Sequence, residues 1–121
     1  MYSKQIDSFF PYAVPRDEQL TAINFALETF LKSDKKYCIV EAGTGVGKSA
    51  IGLTLGRILN SNLPHDEDFG RGSYFLTTQR VLQDQYESDF GKPSGNMQSV
   101  YSSSNYKCNW HKENDCRTSQ Q

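Results

Sequence analysis

Eight consecutive residues, Ala42-Gly43-Thr44-Gly45-Val46-Gly47-Lys48-Ser49, constrain this chain more than any other stretch. A short apolar run at residues 37–40 leads into them. Behind them Ala50, Ile51, Leu55, Ile58 and Leu59 recur at helical spacing. Strand, glycine-rich turn and helix in that order form a cradle for phosphate. Gly45 and Gly47 let the backbone turn its N–H groups inward around an anion, and the helix starting near Gly47 adds its positive end. Lys48 brings a mobile charge for β- and γ-phosphates, and Ser49 offers a hydroxyl to Mg²⁺. Against the pattern G-x-x-x-x-G-K-[ST], the first position is Ala42 and the rest fits. A dinucleotide-binding reading fails: counting from Gly43 and Gly45, the third glycine of G-x-G-x-x-G falls on Lys48. The nucleotide-binding set is therefore Gly43, Thr44, Gly45, Val46, Gly47, Lys48 and Ser49, with Lys48 and Ser49 as catalytic candidates.

The remaining pattern reads as alternating strands and helices. Leu20, Ile23, Leu27, Phe30 and Leu31 predict a helix behind Pro15, whose fixed φ and missing N–H suit a helix start. The helix after the loop should stop at Asn60-Ser61-Asn62, before Pro64. Residues 73–77 read as a second strand, 79–90 as a second crossover helix closed by Gly91 and Pro93, and 97–101 as a third strand. Strands joined by helical crossovers imply an α/β fold with a parallel sheet.

The flanks narrow the reading. In "FFPYAVPRDEQLTAI" the Gln19 amide has the acceptor and donors to match adenine, and Phe10 or Tyr12 could stack on the ring. The plainer alternative makes these aromatics core and Gln19 surface. In "YFLTTQRVLQDQY", Thr77, Thr78 and Gln79 close a strand where open α/β sheets place ligands, and their groups suit nucleic-acid phosphates. Helix capping by Thr78 is the alternative.

Together the three stretches resemble the first part of a superfamily 2 DNA helicase of the DinG/XPD type, over residues 10–108. "FPYAVPRDEQ" is similar to that family's adenine-reading Q motif, "EAGTGVGKS" to its motif I and "TTQRVLQDQ" to its motif Ia. The resemblance implies a partial RecA-like P-loop NTPase domain at 1–101, truncated before the acidic motif, and the start of a cysteine-containing insertion at 102–121. It implies ATP hydrolysis with Mg²⁺ coupled to 5′-to-3′ movement on single-stranded DNA. Gln19 would read adenine, Lys48 and Ser49 would serve phosphate and metal, and Thr77, Thr78 and Gln79 would touch the DNA backbone. The chain then reads as an N-terminal fragment, inactive alone, whose partner is the remainder of the helicase polypeptide.

The same branch carries a four-cysteine iron–sulfur insertion after motif Ia. "SSSNYKC" keeps the Asn105, Tyr106 and Cys108 of its first-ligand pattern, with serines in place of Gly-Arg. Cys108 is thus a candidate ligand of a 4Fe–4S cluster and Cys116 a second. A cluster held wholly by cysteine needs four thiolates, and this tail offers only these two. Zinc on Cys108, His111 and Cys116 lacks a fourth ligand. The remaining cysteine, Cys38, sits in the expected loop strand and reads as a small core residue. His65-Asp66-Glu67-Asp68 looks like a scrambled acidic motif but follows a helix stop, so it reads as a solvated loop.

Composition sets the outer bounds. Lys and Arg total 13 against 14 Asp and Glu, so no global basic field advertises nucleic acid and DNA contacts would be local. No apolar run approaches the roughly 18 residues of a membrane span, and residues 1–10 do not resemble a signal peptide. Three cysteines suit a reducing compartment, the cytoplasm, or the nucleus of a eukaryote. A second reading stays open: a small self-standing P-loop module that binds nucleotide or a partner without helicase activity.

Overall fold

The computed structural model describes residues 2–62, 72–91 and 97–106. They fall into two compact units, Met1–Phe75 and Leu76–Gln121.

The first unit is built on three helices, α1 (Ser3–Phe9), α2 (Asp17–Lys32) and α3 (Lys48–Asn62). Seven residues are too few for a helix to persist alone in water, so α1 depends on what it buries. Ile6 is completely covered, Phe10 is nearly so, and Pro11 stops the element. Arg57 of α3 donates from Nη1 to the Phe9 carbonyl at 3.1 Å, serving one of the C-terminal oxygens of α1. Sequence reasoning found the aromatics here but not the helix. Ile6, Phe9 and Phe10 at spacings of three and four were its only signal.

In α2, Asp17 and Glu18 occupy the first turn and Lys32 the last, an order the helix dipole favours. Arg16, directly behind Pro15, is the N-cap. Its backbone N–H donates to Gln19 Oε1 at 2.9 Å. That is half of a capping box, the half a glutamine at the third helical position can make. Ile23 and Leu27 face the core as the periodicity required, joined there by Ala26, whereas Leu31 is exposed and Gln19 is buried.

Helix α3 buries Ala50, Ile51, Leu53, Thr54 and Ile58. Thr54 satisfies its hydroxyl on the Ala50 carbonyl at 2.7 Å. The helix ends where the sequence placed its stop: Ser61 Oγ and Asn62 Nδ2 both turn back to the Ile58 carbonyl, at 2.7 and 2.8 Å. Ile6, Phe10, Ile23, Leu27, Ala50, Ile51 and Ile58 form one cluster. Each large aliphatic in it contributes about 1.5–3 kcal/mol by leaving water, and this burial holds the three helices together.

The expected parallel sheet does not form among the described residues. No strand occurs among the described residues, and residues 37–40, 73–77 and 97–101 are irregular. Tyr37 and Ile39 are 87% and 90% exposed, and Tyr74 and Leu76 are 95% and 94% exposed. An apolar run shows that a segment gains by burial; it becomes a strand only when neighbouring backbone completes its hydrogen bonds. Among the described residues these segments supply no ladder to one another, so the RecA-like sheet is overturned and the architecture is helical. Residues 73 and 75 instead lie along α3. A Cβ on Gly56 would meet Ser73 Oγ at 2.8 Å and Phe75 Cζ at 3.4 Å, so this glycine is what admits the segment.

The second unit is described by itself. Helix α4 (Arg80–Tyr86) runs into a π-helical turn, Glu87–Gly91, and a short 3₁₀ turn covers Ser103–Asn105. Residues 100–106 are tied to α4 by side chains. Arg80 Nη1 donates to Asn105 Oδ1 at 2.7 Å and the guanidinium carbon lies 5.1 Å from the centroid of the Tyr101 ring. Tyr101 donates its hydroxyl to Asp84 Oδ1 at 2.7 Å, and Tyr106 OH accepts the Tyr101 backbone N–H at 2.8 Å. Among the described residues no helix is long and apolar enough to cross a membrane.

Candidate nucleotide-binding site

The loop at residues 42–49 joins irregular chain to the first turn of α3. Gly45 and Gly47 both have left-handed backbone, with φ of 81° and 84°. A side chain would strain either position. At Gly47 it would also collide, since a Cβ there would lie 2.5 Å from Gln19 Nε2. Helix α3 opens at Lys48, so the free N–H groups of its first turn point back at the loop. The first helical bond, from Ile51 N–H to the Gly47 carbonyl, is 3.4 Å long. Lys48 is exposed and Ser49 half-buried, while Val46 packs against the core. The loop therefore has a rigid foot and an open rim.

Two side chains from the start of α2 grip its backbone. Arg16 Nη1 donates to the Gly45 carbonyl at 2.7 Å, and Gln19 Nε2 donates to the Gly47 carbonyl at 3.4 Å. Gln19 is only 3% exposed. One amide N–H and one oxygen lone pair remain beyond its two bonds within the chain. Sequence reasoning selected Gln19 for its amide and missed Arg16, whose reach to the loop spans 29 positions.

The aromatic candidates separate. Phe10 is 8% exposed within the core, so it does not offer a ring to a base, whereas Tyr12 is 58% exposed and meets Phe10 edge-on at 6.1 Å. A groove of about 610 Å³ lies between α2 and residues 39–46. Phe25, Ile39 and Val46 supply its apolar surface, and Asp17, Glu18 and Glu41 put carboxylates on its rim. Those carboxylates repel phosphate, which leaves the Lys48 side of the loop as the place for anions.

Thr77, Thr78 and Gln79 belong to the second unit. Gln79, not Thr78, is the N-cap of α4, and its N–H donates to Thr77 Oγ1 at 3.4 Å. Thr78 and Gln79 are exposed and Thr77 is half-buried. Cys38 is half-buried with a free thiol. Cys108, His111, Cys116 and the acidic stretch 65–68 lie outside the described residues.

The model of the family described as Type III restriction enzyme, res subunit, matches residues 13–120. No curated protein and no solved structure matches the chain. The family match covers most of the chain, which therefore belongs to that family, one within the helicase and ATPase superfamily 2.

Proposed function

From that membership, we propose that this chain is the nucleotide-binding part of an ATP-dependent DNA helicase of the DinG/XPD type. One observation carries the reading: a loop with two left-handed glycines opens directly onto the N-terminus of α3 and presents Lys48 at its rim. The loop N–H groups and Lys48 hold the triphosphate, with the charged groups acting by position rather than by covalent chemistry. The Ser49 hydroxyl, half-buried beside Lys48, is the oxygen donor this loop offers Mg²⁺, a cation that takes oxygen ligands and keeps several waters. When bound, the metal neutralises charge on the terminal phosphates. Gln19, buried and engaged on Arg16 and Gly47, is the adenine candidate by the resemblance alone, and the exposed Thr78 and Gln79, with Thr77, are the DNA-backbone candidates. The branch, the 5′-to-3′ direction and single-stranded DNA rest on "TTQRVLQDQ" and on the Asn105-Tyr106 pair before Cys108. No step is assigned to an iron–sulfur cluster, because Cys108 and Cys116 supply two of the four thiolates it needs.

A different class of reading is favoured by the way α1–α3 support the loop with no sheet among the described residues. The chain then binds nucleotide in its own right and turns it over negligibly. DNA-stimulated ATP hydrolysis by the full-length polypeptide, with and without Lys48→Ala, separates the two. Loss of turnover by at least about 100-fold in the variant supports the helicase reading, on the scale of removing one charge-stabilising donor. Unchanged turnover sinks it, and binding without turnover in the wild type leaves the binding module.

A further inference from the structure

We propose that Arg16 and Gln19 are positioning residues that set the phosphate loop for an anion before any nucleotide arrives. The proposal rests on the nucleotide reading of the loop. A trans peptide carries its C=O and N–H on opposite sides of one plane. Holding the Gly45 carbonyl on Arg16 Nη1 at 2.7 Å therefore turns the Val46 N–H the other way. The Gly47 carbonyl, held by Gln19 Nε2 together with the Ile51 N–H of α3, both at 3.4 Å, does the same for the Lys48 N–H.

With φ of 81° and 84° on the two glycines that open these peptides, the tethered N–H groups can face one side as an anion-binding nest. Untethered, a peptide beside a glycine flips easily, and an inward carbonyl repels phosphate oxygen. Gly45 lies in open space, where a Cβ would meet no atom within 4 Å, and the Arg16 bond is the contact that reaches its carbonyl. Both tethers leave the same turn of α2 and are coupled through the 2.9 Å bond from Arg16 N–H to Gln19 Oε1. Burial of Gln19 fixes that turn to the core, and Arg16 carries the constraint outward to the exposed part of the loop.

The test uses the whole chain and inorganic pyrophosphate as probe. Amide NMR signals of Val46 and Lys48 are recorded without ligand in wild type, Arg16→Ala and Arg16→Lys, and pyrophosphate affinity is measured by calorimetry. Arg16 is exposed, so the alanine variant keeps the fold. Arg16→Ala is expected to shift or broaden both loop signals and weaken pyrophosphate roughly tenfold, about one charged hydrogen bond. Arg16→Lys, which keeps a donor, returns both toward wild type. Unmoved loop signals in Arg16→Ala overturn the proposal even if affinity falls, because Arg16 would then touch the anion directly. If wild type itself fails to bind pyrophosphate, the nucleotide reading fails, and the ligand-free loop signals still decide whether Arg16 sets the loop.

Discussion

Gly47 is restrained twice, by left-handed backbone and by the Gln19 amide that fills the place of a Cβ. Gly47→Ala should therefore cost about 1–3 kcal/mol, the range for a non-glycine residue forced into that region. Urea denaturation measures it, and a change near zero would mean that the loop relaxes without the constraint. The turn at Gly45 and Gly47 and the helix start behind it were legible in sequence because a glycine turn into a helix is a local device whose parts lie within eight positions. Arg16 was not legible, because its meaning is a contact with a carbonyl 29 residues away and any basic side chain before a helix looks solvated. Gln19 was half legible. Its amide marked it as a recognition group, while its burial against the loop backbone comes from the packing of α2 on α3.

At the scale of elements, periodicity located α2 and α3 because each has one apolar face long enough to repeat. Ile58 is completely buried in α3. Replacing it with alanine should destabilise the first unit by about 2–5 kcal/mol, the usual range for emptying an aliphatic site. A loss below about 1 kcal/mol in chemical denaturation would mean that the core is not the cluster described. The strands were misread for a reason of their own kind. Residues 37–40 and 73–77 have the apolar character of strands, but a strand is a relation between segments, and their hydrogen-bonding partners do not appear among the described residues. In the second unit, α4 and residues 100–106 are joined by Tyr101, whose bond to the Asp84 carboxylate raises the phenol above its ordinary value near 10. A raised folded value contributes stability that is whole below the ordinary one and is lost as pH rises through the raised one. Hydrogen exchange in residues 100–106 should therefore accelerate above about pH 10 beyond the intrinsic rise, and Tyr101→Phe should remove that extra step. An identical pH response in the variant would remove Tyr101 as its origin.

For the whole molecule, the exposed apolar side chains matter more than the net charge of −1. Tyr37, Ile39 and Tyr74 stand in water in the first unit, each at least 87% exposed. Surfaces of that kind are covered by partners or drive association. Sedimentation of the chain should show mass growing with concentration, and Ile39→Lys together with Tyr74→Lys should return it toward 13.7 kDa. A wild type that stays at that mass at high concentration would show that these side chains do not drive self-association.

The sequence by itself determined the glycine turn ahead of α3, the two long helices and the stop of α3, because each depends on residues within a few turns of one another. Tertiary structure alone decided that Gln19 is buried, that Arg16 holds Gly45, that a seven-residue α1 exists and that the apolar runs form no sheet among the described residues. Each of those rests on pairing groups distant in the chain, and local pattern records only what a residue would gain from a partner, not whether the partner is there.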